Sequence, residues 1–326
     1  MDLIKEIHGY LAEEIASMNE VIIDSLRVDE ELIKVISNHL STSRGKRLRP
    51  ILTLLSSKML GYNGENSIKL AAAVEFIHMA TLLHDDVVDG SKMRRFLPTA
   101  NVVWGNKASI LVGDFLFSQS FKLIVATGVQ KAMTALSNAS AIIAEGEVAQ
   151  LAKLEQRVLI SREQYFSIIR AKTAELFGAS CEVGAYISSK DYLSKVLKDF
   201  GVVLGNIFQI TDDLLDYFSE SDNVGKNVGD DFYEGKITLP VILLNDKLSQ
   251  DNQLKLAKII QQDERSSDEL IWLIKMLREH NISDEIKSYL DVMKNESYQL
   301  IDSIDGEQKA KLYLKDLVDF AVNRTY

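Results

Sequence analysis

Cysteine occurs once in this chain, at Cys181, and proline three times, at Pro50, Pro98 and Pro240. A single cysteine excludes an intramolecular disulfide and a cysteine-built zinc site, which fits a reducing compartment and makes the cytoplasm the expected location. Cys181 itself reads as a small buried hydrophobe. No unbroken run of about 18 apolar residues is found, so no membrane-spanning helix is expected. The first residues, "MDLIKEIHGYLAEEIASM", carry acids throughout and lack the basic start of a signal peptide. Neither a GxxxxGK[ST] loop nor a GxGxxG turn after a strand occurs, which leaves nucleotide binding without support. Positive charge is scarce too. Lys and Arg number 37 against 47 Asp and Glu, a net charge of -10, so nucleic acid is not an expected partner and any anionic ligand needs local cations or metal.

Apolar residues are plentiful. They make up 46% of 326 residues, enough for a large core, and recur at spacings of three and four, the helical period. "AAAVEFIHMATLLHDD", "RVLISREQYFSIIRAKTAELFGASCEVGAYI" and "LKDFGVVLGNIFQITDDLLDYF" all read as helices. The second is expected to start at Ser161 with a capping box to Gln164, and another box, Ser266 with Glu269, opens "DELIWLIKMLREH". Several helices are apolar on nearly every face, which puts them inside a bundle. The expected fold is therefore all-α, one large multi-helix domain over residues 1–326. Gly201 and Gly205 read as points of close helix packing. Breaks fall at 40–50, 61–66, 89–101 and 219–236, the last long, polar and glycine-rich.

"HDDVVDG" at 84–90 and "TDDLLDY" at 211–217 repeat one pattern, two aspartates and a third four positions after the first, each at the end of an apolar run. Positions i and i+4 share a helix face, so Asp85 pairs with Asp89 and Asp212 with Asp216. Like charges that close repel by about 3 kcal/mol at an effective dielectric of about 20. The helix dipole makes the first cluster worse, since it falls late in its helix. Two such clusters call for a cation. Hard oxygen donors at helical spacing, without the glycine-bearing calcium loop, suit Mg²⁺ sharing its shell with substrate phosphates. Three basic segments supply what a diphosphate needs: "RGKRLRP", "MRR" and "GKNVGDDFYEGK".

With these motifs in order, joined by "GDFLFSQSF", "AEGEVAQL" and "KTAELF", most of the chain resembles the trans-isoprenyl diphosphate synthases, and within them the bacterial long-chain, octaprenyl-type enzymes. The resemblance implies an isoprenoid-synthase bundle around a central cavity. It implies that Asp85, Asp86, Asp89, Asp212, Asp213 and Asp216 hold Mg²⁺, three ions per site, on the allylic diphosphate. Arg94, Lys172, Thr173, Gln209, Lys226 and Lys236 would complete the allylic pocket, with Lys172 and Lys226 counted among the catalytic groups. Lys46, Arg49, His78 and Arg95 would grip isopentenyl diphosphate. A homodimer, a quinone side chain as end product and transient membrane-surface contact on product release are also implied. Two departures stand out: Arg44 precedes Gly45 where the family has a second glycine, and Phe96 follows the arginine pair where it has glycine.

A growing chain must run back along the helix from the aspartates, so the residues one turn before Asp85 meet it first. Ala80 and Thr81 are small, which predicts a long product, near C40, with Phe117 or Phe121 as the tunnel floor. Three other readings share much of this pattern: a class I terpene cyclase or squalene-type synthase, a non-catalytic subunit of a heteromeric synthase, and a helical scaffold with incidental metal sites. The isopentenyl grip and two intact aspartate clusters favour chain elongation.

Overall fold

The computed structural model describes residues 2–42, 45–94, 97–218 and 228–324. The helices are α1 (Asp2–Tyr10), α2 (Ala12–Ser25), α3 (Glu31–Thr42), α4 (Leu48–Met59), α5 (Glu65–Val88), α6 (Ala100–Trp104), α7 (Asn106–Ala126), α8 (Gln130–Gln156), α9 (Arg162–Ile169), α10 (Glu175–Ile187), α11 (Ser194–Phe218), α12 (Asp230–Tyr233), α13 (Leu239–Asn245), α14 (Gln250–Ile260), α15 (Ser267–Glu279), α16 (Ile282–Asp302) and α17 (Gln308–Asn323). Among the described residues the only strands are β1 (Met93–Arg94) and β2 (Leu97–Pro98), a two-stranded antiparallel hairpin. The protein is all-α, as the helical period requires.

Two helices organise the bundle. Helix α5 packs along α7 and α4, and α11 packs along α10 and α16. In α5, Leu70 to Val74, Phe76 and Ile77 are all buried, so the helix is surrounded rather than amphipathic. One core runs from Ile7 to Ala321, and a smaller one joins α5, α8 and α10 through Leu70, Leu136 and Val183. Burying each large aliphatic side chain there stabilises the fold by about 1.5–3 kcal/mol. Cys181 is fully buried in the main core, and burial pushes its thiol pKa up, so it is inert packing.

Close approaches are set by glycine. A Cβ at Gly201 would lie 2.4 Å from the Phe177 carbonyl oxygen, and one at Gly205 2.5 Å from the Ala174 Cα, so α11 touches α10 and the turn just before it backbone to backbone. Both expected capping boxes are present. The Ser161 amide donates to Gln164 Oε1 at 2.9 Å and the Ser266 amide to Glu269 Oε2 at 2.8 Å. The long helix expected after Ser161 is not uniform: between α9 and α10 the turn Arg170–Ala174 is a π-helix.

Helix α7 is long and apolar enough, by length and composition, to cross a membrane, with mean hydropathy 1.4 over its best window. Its small residues and its two charges in that window, Asp114 and Lys122, break the run to the eye without lowering the average far. Only a third of that window is buried within the chain, and Ile110, Leu111 and Val125 are exposed.

Candidate functional site

The C-terminal ends of α5 and α11 carry the two aspartate clusters to one cavity of about 1600 Å³, above the roughly 300–1,000 Å³ of pockets for drug-sized ligands. Asp85, Asp89, Asp212 and Asp213 line it, with Lys46, Arg49, His78, Thr81, Arg94, Lys172, Thr173, Gln209 and Lys236. Lys46 and Lys236, 190 positions apart in sequence, therefore line one cavity. Arg95 and Lys226, with Arg44 and Phe96, lie outside the described residues.

Helical spacing divides the first cluster. Asp85 and Asp89, on one face, reach the cavity, while Asp86 points into the protein at 1% exposure. There Arg94 grips it from Nε at 3.0 Å and Nη2 at 2.8 Å, and Asn101 donates to its carbonyl oxygen. The hairpin β1–β2 holds Arg94 in place, with the Thr99 hydroxyl donating to the Ser91 carbonyl behind it. Arg94 is thus committed to Asp86 as well as lining the cavity.

Three of the cavity-facing carboxylates, Asp85, Asp89 and Asp212, have a cation nearby. Lys172 Nζ stands 3.9 Å from Asp85 and donates to Glu147 at 2.9 Å. Burial raises the Asp85 pKa to about 6, with Glu147 and Asp89 adding to the rise and Lys172 opposing it. Lys236 Nζ is 3.3 Å from Asp89. Burial disfavours its charge, but Asp231, Asp89 and Glu234 outweigh that and hold the ammonium above its ordinary pKa. Asp212 meets Arg324 at 2.7 Å.

The rest of the second cluster is tied inward. Asp213, 2% exposed, accepts from the Tyr165 hydroxyl at 2.6 Å and from Gln209 Nε2 at 2.8 Å. Burial and the neighbouring Asp231 raise its pKa against those two hydrogen bonds. Asp216 is 8% exposed and outside the cavity lining, and its carbonyl oxygen accepts from the Gly229 amide.

A second basic group lies at the start of α4. Arg49 Nη1 is 3.2 Å from His78 Nε2 and its guanidinium stacks on Phe177 at 4.6 Å, while Lys46 lies over the Phe320 ring at 4.7 Å. Arg47, between them, has φ 50° and turns instead to Asn19 and Glu75. His84 faces the Ile110 carbonyl and Asp114, away from the cavity.

Ala80 is 1% exposed and does not line the cavity, whereas Thr81 does. Phe117 and Phe121 meet edge to face at 5.0 Å, outside the lining residues. Four groups at the site were not singled out from sequence. Asp231 and Glu147 sit inside quoted motifs, "GDDFYEGK" and "AEGEVAQL", whose acids carried no spacing signal. Tyr165 and Arg324 are visible only in three dimensions.

Among the described residues no three Asp, Glu, His or Cys side chains converge tightly enough to hold an ion unaided. The donors are nonetheless hard oxygens on two facing walls with lysines between, which fits a divalent cation completed by ligand phosphate oxygens.

Residues 30–277 match the polyprenyl synthetase family. The chain is 42% identical over 240 residues, 73% of its length and 74% of the relative's, to an octaprenyl diphosphate synthase of Escherichia coli. Its structure is similar to that of a decaprenyl diphosphate synthase from Rhodobacter capsulatus (TM-score 0.93, 38% identity, 99% of each chain). It is also similar to a polyprenyl synthase from Caulobacter crescentus complexed with calcium and isoprenyl diphosphate (TM-score 0.93, 37% identity, 99% of this chain and 98% of that one).

Proposed function

The chain belongs to the polyprenyl synthetase family, and from that premise we propose that it extends farnesyl diphosphate with successive isopentenyl diphosphates to an all-trans product near C40, destined for a quinone side chain. It is a trans-prenyltransferase of the long-chain type. The observation that carries the finer reading is the meeting of two aspartate-bearing helix ends and a separate Lys46, Arg49 and His78 group in one cavity. A cyclase needs the first and has no use for the second. A non-catalytic subunit has use for neither.

Asp85, Asp89 and Asp212 are the residues assigned to hold Mg²⁺, with Asp231 as a further carboxylate beside them; Asp213 lines the cavity but is engaged by Tyr165 and Gln209, and Asp86 and Asp216 support from behind. Mg²⁺, three ions by family resemblance, supplies neutralising charge to the leaving diphosphate when bound. Lys172, Lys236 and, by resemblance, Lys226 add positive charge at the same end, so the allylic C–O bond breaks with its electrons on a stabilised anion. Arg49 and His78, with Lys46 and Arg95, hold isopentenyl diphosphate so that its double bond faces the allylic carbon. The new C–C bond forms, a proton leaves, and the chain is longer by one C5 unit. Apolar walls exclude water from the cation.

The whole chain, 1–326, is read as one domain working in the cytoplasm. The exposed apolar side chains Leu111, Val125 and Val148 of α7 and α8 support a homodimer, with a second copy covering that face and any membrane contact limited to product release. The decisive experiment is incubation with farnesyl diphosphate, labelled isopentenyl diphosphate and Mg²⁺. A ladder ending near C40 is expected; folded protein that elongates nothing refutes the proposal.

A further inference from the structure

In the cavity wall, four side chains from three elements form one hydrogen-bonded line. Tyr165 on α9 donates to Asp213 Oδ2 at 2.6 Å. Gln209, one turn before Asp213 on α11, donates to Asp213 Oδ1 at 2.8 Å. Thr173, in the π-helical turn, donates to Gln209 Oε1 at 2.8 Å. The polarity of this line is dictated by its one carboxylate. Gln209 offers Asp213 its amide nitrogen, so its oxygen faces Thr173, and Thr173 is the donor. Tyr165 keeps its proton: it is 2% exposed, and burial together with the facing Asp213 pushes its pKa well up.

We propose that Tyr165 is a positioning residue for chain elongation, fixing Asp213 and Gln209 so that the π turn carrying Lys172 and Thr173 is held in register with the α11 end carrying Asp212. The line joins two parts of the site that no continuous helix connects. The π turn puts Lys172 beside Asp85, and α11 puts Asp212 at the cavity. Their separation sets how an allylic diphosphate can touch both. Besides this line, the five-residue turn of unusual hydrogen bonding is tied by Lys172 to Glu147 on α8 and by close backbone approaches at Gly146 and Gly205, and the line is its side-chain hydrogen bond to α11. On this reading Asp213 is an anchor whose two oxygens are each engaged by the protein, and Asp212 is the member of the pair that serves the ligand.

The inference rests on the elongation reading above, and its test is arranged to separate the two. Tyr165→Phe keeps the ring and deletes the donor. Loss of a hydrogen bond to a charged partner lowers kcat/KM for the allylic diphosphate by roughly 10- to 100-fold, with the KM for isopentenyl diphosphate within about twofold of wild type. Thr173→Val breaks the far end without touching Asp213 and is expected to move the same parameter. In the Asp213→Asn background, adding Tyr165→Phe costs less than about twofold, because both changes cut one line. Binding of Mn²⁺ with an allylic diphosphate analogue, read by calorimetry, stays within about threefold of wild type in Asp213→Asn if that residue is an anchor. The proposal is overturned if Mn²⁺ affinity in Asp213→Asn falls tenfold or more, or if the two substitutions multiply independently. Thermal unfolding confirms that Tyr165→Phe is folded; if it is not, Thr173→Val and the Mn²⁺ titration of Asp213→Asn decide the matter. Should the wild-type protein bind the analogue and elongate nothing, the elongation reading fails, while the calorimetric comparison still judges the line.

Discussion

Arg324, just past the end of α17, donates to Asp212 across 2.7 Å and stacks on Phe208 at 3.7 Å, so the second aspartate cluster has a built-in cation at its first member. The Arg324 side chain is 6% exposed, and Asp212 is 37% exposed. A metal ion approaching Asp212 meets a cation already there.

Replacing Arg324 by Gln should therefore tighten divalent-ion binding. Asp212 is open to water on one side, so the pair is worth about 0.2–1 kcal/mol, which caps the gain at about fivefold. Titration of Mn²⁺ with a diphosphate analogue measures it. Weaker binding in the variant would show that Arg324 assists the ion rather than competing with it.

Acid should weaken metal binding at Asp85. Its folded pKa, about 6, lies above its ordinary 3.8, so between those values the folded protein binds more protons than the unfolded chain. Stability from this group is accordingly greatest below about pH 4 and is lost as pH rises through about 6, a swing on the order of 3 kcal/mol. A divalent ion needs the ionised form, so Mg²⁺ should raise the melting temperature at pH 7.5 and do so far less at pH 5. Asp85→Asn should abolish most of that pH dependence; an unchanged Mg²⁺ effect at pH 5 would count against the assignment.

The helices, both capping boxes and the two aspartate clusters were legible because each depends on local spacing. Which aspartate faces the cavity was half legible: the i, i+4 rule pairs Asp85 with Asp89, and both line it, whereas Asp86, expected among the Mg²⁺ ligands, is buried and gripped by Arg94. The same rule pairs Asp212 with Asp216, yet the cavity receives Asp212 and Asp213, while Asp216 is 8% exposed and its carbonyl oxygen accepts from the Gly229 amide. The π turn left no trace in the pattern, since one extra residue per turn shifts the phase without changing composition. Arg324 and Tyr165 act across long sequence separations, which no short motif encodes.

Gly201→Ala should destabilise the fold even though alanine is the better helix former. Alanine gains about 1 kcal/mol of helix propensity, but its Cβ would meet the Phe177 carbonyl oxygen at 2.4 Å and the Gly178 Cα at 2.7 Å. Backbone cannot swing aside as a side chain can, so α10 and α11 must separate at a cost of roughly 1–3 kcal/mol. Urea unfolding is expected to show a net loss. A stabilised variant would mean that the two helices part freely.

Product length should respond at Thr81 before Ala80. Thr81 faces the cavity one turn before Asp85, whereas Ala80 is 1% exposed and packed in the core. Thr81→Tyr places a ring in the path of the tail and should shorten the product by several C5 units with little effect on folding. Ala80→Tyr should add an overpacking cost of roughly 1–3 kcal/mol to any change in length. Phe117 packs against both hydrophobic cores, beside Phe121, so it stands where a tail running between α5 and α7 would end. Phe117→Ala should then lengthen the product. In the double variant the short product should persist, because a tail stopped at residue 81 never reaches residue 117. Chromatography of the products tests the order: a double variant that makes long chains would put the tail on a different route through the bundle.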